Sequence, residues 1–80
     1  MKAEQFRKKE QALKAEILAE IRAKLGEEKI HLGDNFEDEA NNELFAVDKD
    51  DVFFNEDGVD CYPLEDLGIN DAIAILYFLE

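Results

Sequence analysis

Ala72 to Leu79, AIAILYFL, is a run of eight consecutive apolar residues in a chain of net charge -12. No other feature restricts the fold as much. The run is too short to cross a bilayer core of about 30 Å, which takes roughly 20 helical residues. Gly68 or Asn70 before it can cap a helix, and Asp71 suits a first turn, so a helix is predicted over residues 69–79. On a helical wheel, Ala72, Ile73, Leu76 and Leu79 read as the face turned to the core, with Ile75 and Phe78 pointing elsewhere. A helix that is apolar nearly all round needs burial on two sides. The run therefore asks for a partner as well as a core.

The 80 residues suffice for one domain, 1–80, near the size at which a single core only just offsets chain entropy. Hydrophobic content of 46% with eight aromatic residues is that of a folded protein, despite the high charge. Cys61 is the single cysteine, so no internal disulfide can staple the fold. With no apolar leader after Met1, the expected compartment is the cytoplasm.

Residues 2–25 read as one helix, since Phe6, Leu13, Ile17, Leu18, Ile21 and Leu25 fall on one arc of about 140°. Gly26 is placed to end it, after a last turn holding Arg22 and Lys24. Before Leu13 the helix has little apolar surface and is expected to fray. The middle of the chain changes to period two, with strands expected at about 29–32, 42–48, 51–55 and 59–63. A polar loop, Gly33–Asn41, separates the first two, Lys49-Asp50 makes a tight turn, and Asp57-Gly58 is a hairpin signal. Pro63 lacks an amide donor and marks a strand end or sheet edge. The fold class is therefore α+β: an N-terminal helix, a small antiparallel meander and a C-terminal helix packed on the sheet. Adjacent Phe53 and Phe54, and adjacent Leu44 and Phe45, must point to opposite faces, so both sheet faces carry large apolar groups.

The run VFFNEDGVDCYPLEDLGINDAIAILYFLE, the last third of the chain, resembles the tail of small acidic proteins of gut Bacteroides-type bacteria. That resemblance rests on a hairpin ending in Tyr-Pro-Leu-Glu-Asp-Leu followed by a short aliphatic helix. It implies an N-terminal helix, a small antiparallel sheet and a closing helix, and it brings no activity with it.

Charge is distributed unevenly. Residues 1–25 hold seven Lys or Arg against four Glu, whereas residues 26–80 hold Lys29 and Lys49 against seventeen acids. A basic first segment is expected to lie across acidic surface, of its own chain or of a neighbour. Free nucleic acid does not suit the acidic body. The N-terminal helix, though amphipathic, needs its apolar face for the core, so no membrane partner is expected.

The chemistry-bearing residues are few. The chain contains no Ser, Thr or Trp, which leaves two tyrosines as hydroxyl groups. Cys61 and His31 would need contact and an orienting third group to act as thiol and base. The simpler reading makes Cys61 a buried strand residue and His31 a rim residue. One Cys and one His also fall short of the clustered spacing of structural zinc sites. Placing Gly58 at position 6 of a calcium loop puts Phe53 and Leu64 where Asp and Glu are required, so that motif fails. Weak divalent binding by Asp48, Asp50 and Asp51 stays open on coordination chemistry alone. The four glycines are dispersed and form no phosphate loop. No catalytic residue, cofactor, metal or small-molecule substrate is expected.

Two functional readings remain. In the first, the chain is a soluble protein-interaction or regulatory module, a homo-oligomer or bound to another protein, with Phe45, Phe53, Ile75 and Phe78 as the candidate interface. In the second, Asp48, Asp50, Asp57 and Asp60 form a regular row of charge that imitates a nucleic-acid backbone and inhibits a DNA-binding protein. Alternate strand acids would then sit roughly 6.6 Å apart.

Overall fold

The structure, a computed structural model, describes residues 1–33, 35–55 and 60–80. Helix α1 spans Lys2–Leu25 and helix α2 spans Ile69–Leu79, both with the predicted bounds. Between them lie strands β1 (Ile30–His31), β2 (Ala46–Val47), β3 (Asp51–Phe53) and β4 (Cys61–Pro63), then a 3-10 turn over Leu64–Asp66. The strands form one antiparallel sheet in chain order, β1-β2-β3-β4. The α+β expectation therefore holds. The predicted Asp57-Gly58 turn, and Val59 of the expected 59–63 strand, lie outside the described residues.

Register explains the layering. Ile30, Val47, Val52 and Tyr62 align across the four strands, as do His31, Ala46, Phe53 and Cys61 in the neighbouring row. Side chains alternate along a strand, so the two rows face opposite ways. The first row meets Ile17, Leu18, Ile21 and Leu25 of α1 and Ala72 and Ile75 of α2 in a single core cluster. Leu64 and Leu67 close the cluster from the 3-10 segment. Pro63 is the last residue of β4, an edge strand, where its missing amide costs no ladder bond.

The strands are shorter than their period-two pattern predicts, and β2 shows why. Phe45 donates its amide to the Phe53 carbonyl while Ala46 is the register partner of Phe53. Two residues thus oppose one, as in a β-bulge. The extra residue lets Leu44 and Val47, three apart, both reach the core.

The polar segment read as a loop is itself a small hairpin. Asp38 donates to the Asn42 carbonyl at 3.0 Å and Leu44 to the Phe36 carbonyl at 2.7 Å, with Glu37 bridged to Glu43. Asn41 supplies the positive φ, 66°, that a three-residue loop requires at its end. Gly26 ends α1 with φ 60° and ψ -124°, and the Glu28 amide bonds the Leu25 carbonyl at 3.1 Å. These angles fit the second residue of a type II′ turn rather than the predicted left-handed cap.

Two assignments on α2 are corrected by the packing. Ile75 is fully buried at the centre of the core, whereas Ile73 is exposed. Ile75 lies only about 60° from Ala72 on the helix and Ile73 lies about 100° away on the other side, so the inward arc is Ile75, Leu79, Ala72 and Leu76. Ile75 is thus unavailable as an interface residue.

Candidate interaction surface

The apolar groups left outside the core gather along the two helices. Leu13 of α1 is 48% exposed, and Ile73 and Tyr77 of α2 are 37% and 75% exposed. Half-buried Leu76 links them: it lines one hollow with Leu13 and Ile17 and another with Ile73 and Tyr77. The charged residues lining these hollows are Glu16, Glu20 and Glu80. The result is an apolar groove between α1 and α2 with an acidic rim.

The four residues predicted as interface differ in exposure. Ile75 is core, as described. Phe53 is 7% exposed on the opposite sheet face, with the Lys29 ammonium 4.0 Å from its ring centroid. A lysine stem and its charge laid over that ring meet from within the chain the need for cover that the sequence assigned to a partner. Phe45 is half-buried, its ring centroid 4.9 Å from that of His31. Phe78 is exposed and stands edge-on to Phe36 at 6.1 Å, beside Gly33, and these two residues line one hollow with Phe45. Leu13, Ile73 and Tyr77 were missed because the wheel assigned Leu13 and Ile73 to the core.

Asp48 and Asp50 do not alternate along a strand. Strand β2 ends at Val47, and Asp48 Oδ1 accepts the amides of Asp50 and Asp51 at 2.9 and 2.7 Å, which closes the Lys49-Asp50 turn. Asp48 is thus committed to its own backbone, and Asp50 sits in the turn rather than on the strand. Asp60 accepts from Asn55 Nδ2 at 3.0 Å. Asp57 lies outside the described residues.

Among the described residues one carboxylate is buried, and it is structural. Asp38, 8% exposed, accepts the amides of Ala40 and Asn42 on Oδ1 and the Asn42 side chain and Tyr62 hydroxyl on Oδ2, at 2.9 to 3.3 Å. Burial opposes its ionisation, but the hydrogen bonds from Asn42, Tyr62 and Ala40 outweigh burial and hold the carboxyl below its usual range. Burial also raises the Tyr62 hydroxyl, reinforced by the negative charge and hydrogen bond of Asp38. Asp71, in the first turn of α2, accepts the Glu39 amide at 3.0 Å, and Asn70 Nδ2 donates to Glu39 Oε1 at 2.9 Å. Burial and the charges of Asp38 and Glu39 push the Asp71 carboxyl up, against that amide bond. These contacts pin the 36–44 hairpin to the start of α2. Only the spacing of an Asp and an Asn four apart around a tight loop hinted at it.

The end of α1 is pinned in a similar way. Arg22 donates to the Lys49 carbonyl at 3.0 Å and pairs with Glu65, while Lys49 Nζ lies 2.8 Å from Glu27. Basic α1 thus does touch acidic body: Arg22 of its last turn pairs with Glu65, and the Lys14 charge also favours the ionised Glu65 carboxyl. The other bases of α1 make no ion pair among the described residues.

His31 and Cys61 occupy the same cross-strand row but the two outer strands, roughly 14 Å apart at about 4.8 Å per strand. They cannot form a thiol–base pair. Cys61 is exposed, not buried as expected. Among the described residues no group of three or more His, Cys, Asp or Glu could hold a metal ion, and no helix is long and apolar enough to cross a membrane. Comparison of the chain with protein-family models, with curated proteins and with solved structures finds no match.

Proposed function

We propose that this chain is a non-catalytic protein-interaction or regulatory module that binds through the groove between α1 and α2. The observation that carries this reading is the clustering of Leu13, Ile73 and Tyr77, exposed, around Leu76. Isolated exposed apolar residues are ordinary, whereas a contiguous patch with an aromatic group and a charged rim has the make-up of a binding surface. Tyr77 is suited to anchor such a contact, being large, stiff and able to donate a hydrogen bond. The acidic body supports solubility and sets the rate and selectivity of encounter.

The test uses the whole chain as bait in three forms: wild type, an Ile73→Asp/Tyr77→Asp variant, and an Asp48→Asn/Asp50→Asn/Asp60→Asn variant. The reading expects a bound protein, which includes the chain itself, retained by wild type and by the acid variant but lost with the apolar one. Loss with the acid variant alone, combined with binding that falls steeply as salt rises, would instead favour imitation of a nucleic acid.

A further inference from the structure

We infer that the groove is filled by the basic N-terminal arm of α1 from a second copy of this chain, the two α1 helices running antiparallel with Leu13 at the two-fold axis. This rests on the interaction-module reading and names its partner. Three observations lead there.

The first is the arm itself. Residues 2–13 are helical, rise about 18 Å at ~1.5 Å per residue, and are all exposed, burial in α1 starting only beyond them. The arm extends a helix nucleated by the packed residues beyond it but gains nothing from packing of its own, so cover would stabilise it.

The second is shape. Phe6, 63% exposed, and Leu13 stand seven residues apart and so on nearly one line of the helix. Seven residues beyond Leu13 lies Glu20, on the wall of the groove. Equal rise on two antiparallel helices therefore sets Phe6 of each copy opposite residue 20 of the other, over the hollow that Ile17 and Leu76 line.

The third is charge. Residues 1–14 hold five bases against two acids, while the charged residues on the groove are Glu16, Glu20 and Glu80. Antiparallel pairing brings Lys9 of each helix between Glu16 and Glu20 of the other, with Glu10 facing Glu16 as the one acidic pair near the axis, whereas parallel pairing would set Lys9 on Lys9, Glu16 on Glu16 and Glu20 on Glu20. The contact is the same from both sides, so it closes at two copies.

Sedimentation equilibrium of the full chain from about 5 to 300 µM tests this, beside Leu13→Glu. The expected result is a two-copy mass at the upper concentrations, arm helicity at 222 nm that rises with concentration, and at least a ~100-fold weaker association for Leu13→Glu, which about 2.7 kcal/mol at the axis would produce. Leu13 lies outside the core, so the variant keeps its fold, and its circular dichroism at low concentration should match wild type. Orientation is read in a Cys61→Ala background by mixing Phe6→Cys and Glu20→Cys chains, which should join as a mixed disulfide. A monomer at about 300 µM, a dimer indifferent to Leu13→Glu, or disulfides only between like chains would overturn the proposal. If wild type is monomeric while the Ile73→Asp/Tyr77→Asp bait still loses a different protein, self-association is wrong and the module reading stands. If no bait variant changes anything, both fall.

Discussion

Replacing Ile75 and, separately, Leu76 with alanine gives neighbouring residues opposite fates, because one is sealed in the core and the other borders the groove. Ile75→Ala removes three carbons from a side chain with no exposed surface. At ~0.8 kcal/mol per buried methylene the transfer term alone is about 2.4 kcal/mol. A cavity between α1, the sheet and the 3-10 segment raises the loss to about 3–4 kcal/mol, within the range for core truncations. Leu76 is only partly buried, and water can enter the space its truncation leaves, so Leu76→Ala should cost about 1 kcal/mol. Against the ~4–12 kcal/mol expected for a domain of this length, the first change removes a large share of the stability and the second a small one. The assay is urea unfolding followed by circular dichroism, since the chain has no Trp, at a few micromolar so that association does not contribute. A larger loss for Leu76→Ala than for Ile75→Ala would refute the orientation assigned to α2.

Three further perturbations bear on the scaffold. Asp38→Asn turns an amide donor toward Asn42 and Tyr62, which both donate there, and should cost about 1–3 kcal/mol near pH 7. Because the folded carboxyl lies below its unfolded value, wild type holds this advantage above the unfolded value and loses it as pH falls through the folded one; unfolding curves between about pH 6 and 2 should therefore converge. Tyr62 ionises above its ordinary range, so stability should fall as pH rises past about 10, and its phenolate absorbance near 295 nm should appear together with unfolding rather than before it. Gly26→Ala meets no neighbouring atom but is forced to φ 60°, and should lower the stability read by thermal melting by about 1–2 kcal/mol.

The sequence was most legible where local chemistry and long apolar runs agreed. Gly26 and Gly68 bracket the helices because each sits where an apolar periodicity stops, and both helices have the bounds so read. The rotation of α2 was illegible for a physical reason: in AIAILYFL every direction is apolar, so the sequence gives little contrast between Ile73 and Ile75, and packing into the cluster that holds Ile21 and Val47 decides. Alternation identified the strands but not their ends, since the bulge at Phe45 and Ala46 shifts the pattern by one residue. The 36–44 hairpin was hidden because its ordering comes from side-chain acceptors such as Asp38, and one carboxylate among 21 acids carries no mark of burial. An apolar excess was anticipated on the last helix, where Ile73, Tyr77 and Phe78 are exposed. Ile73 and Tyr77 were not singled out, because the excess depends on which side of α2 the core leaves free.

Hydroxyl-radical footprinting of the full chain across a concentration series tests most directly where the molecule makes its contacts. Oxidation of Phe6, Leu13 and Tyr77 should fall together as concentration rises from about 2 to 300 µM, with half-protection at the concentration where the two-copy mass appears. Phe45, on the far face of the sheet, should react at a constant rate. Protection that develops at Phe45 and leaves Leu13 and Tyr77 unchanged would contradict the account.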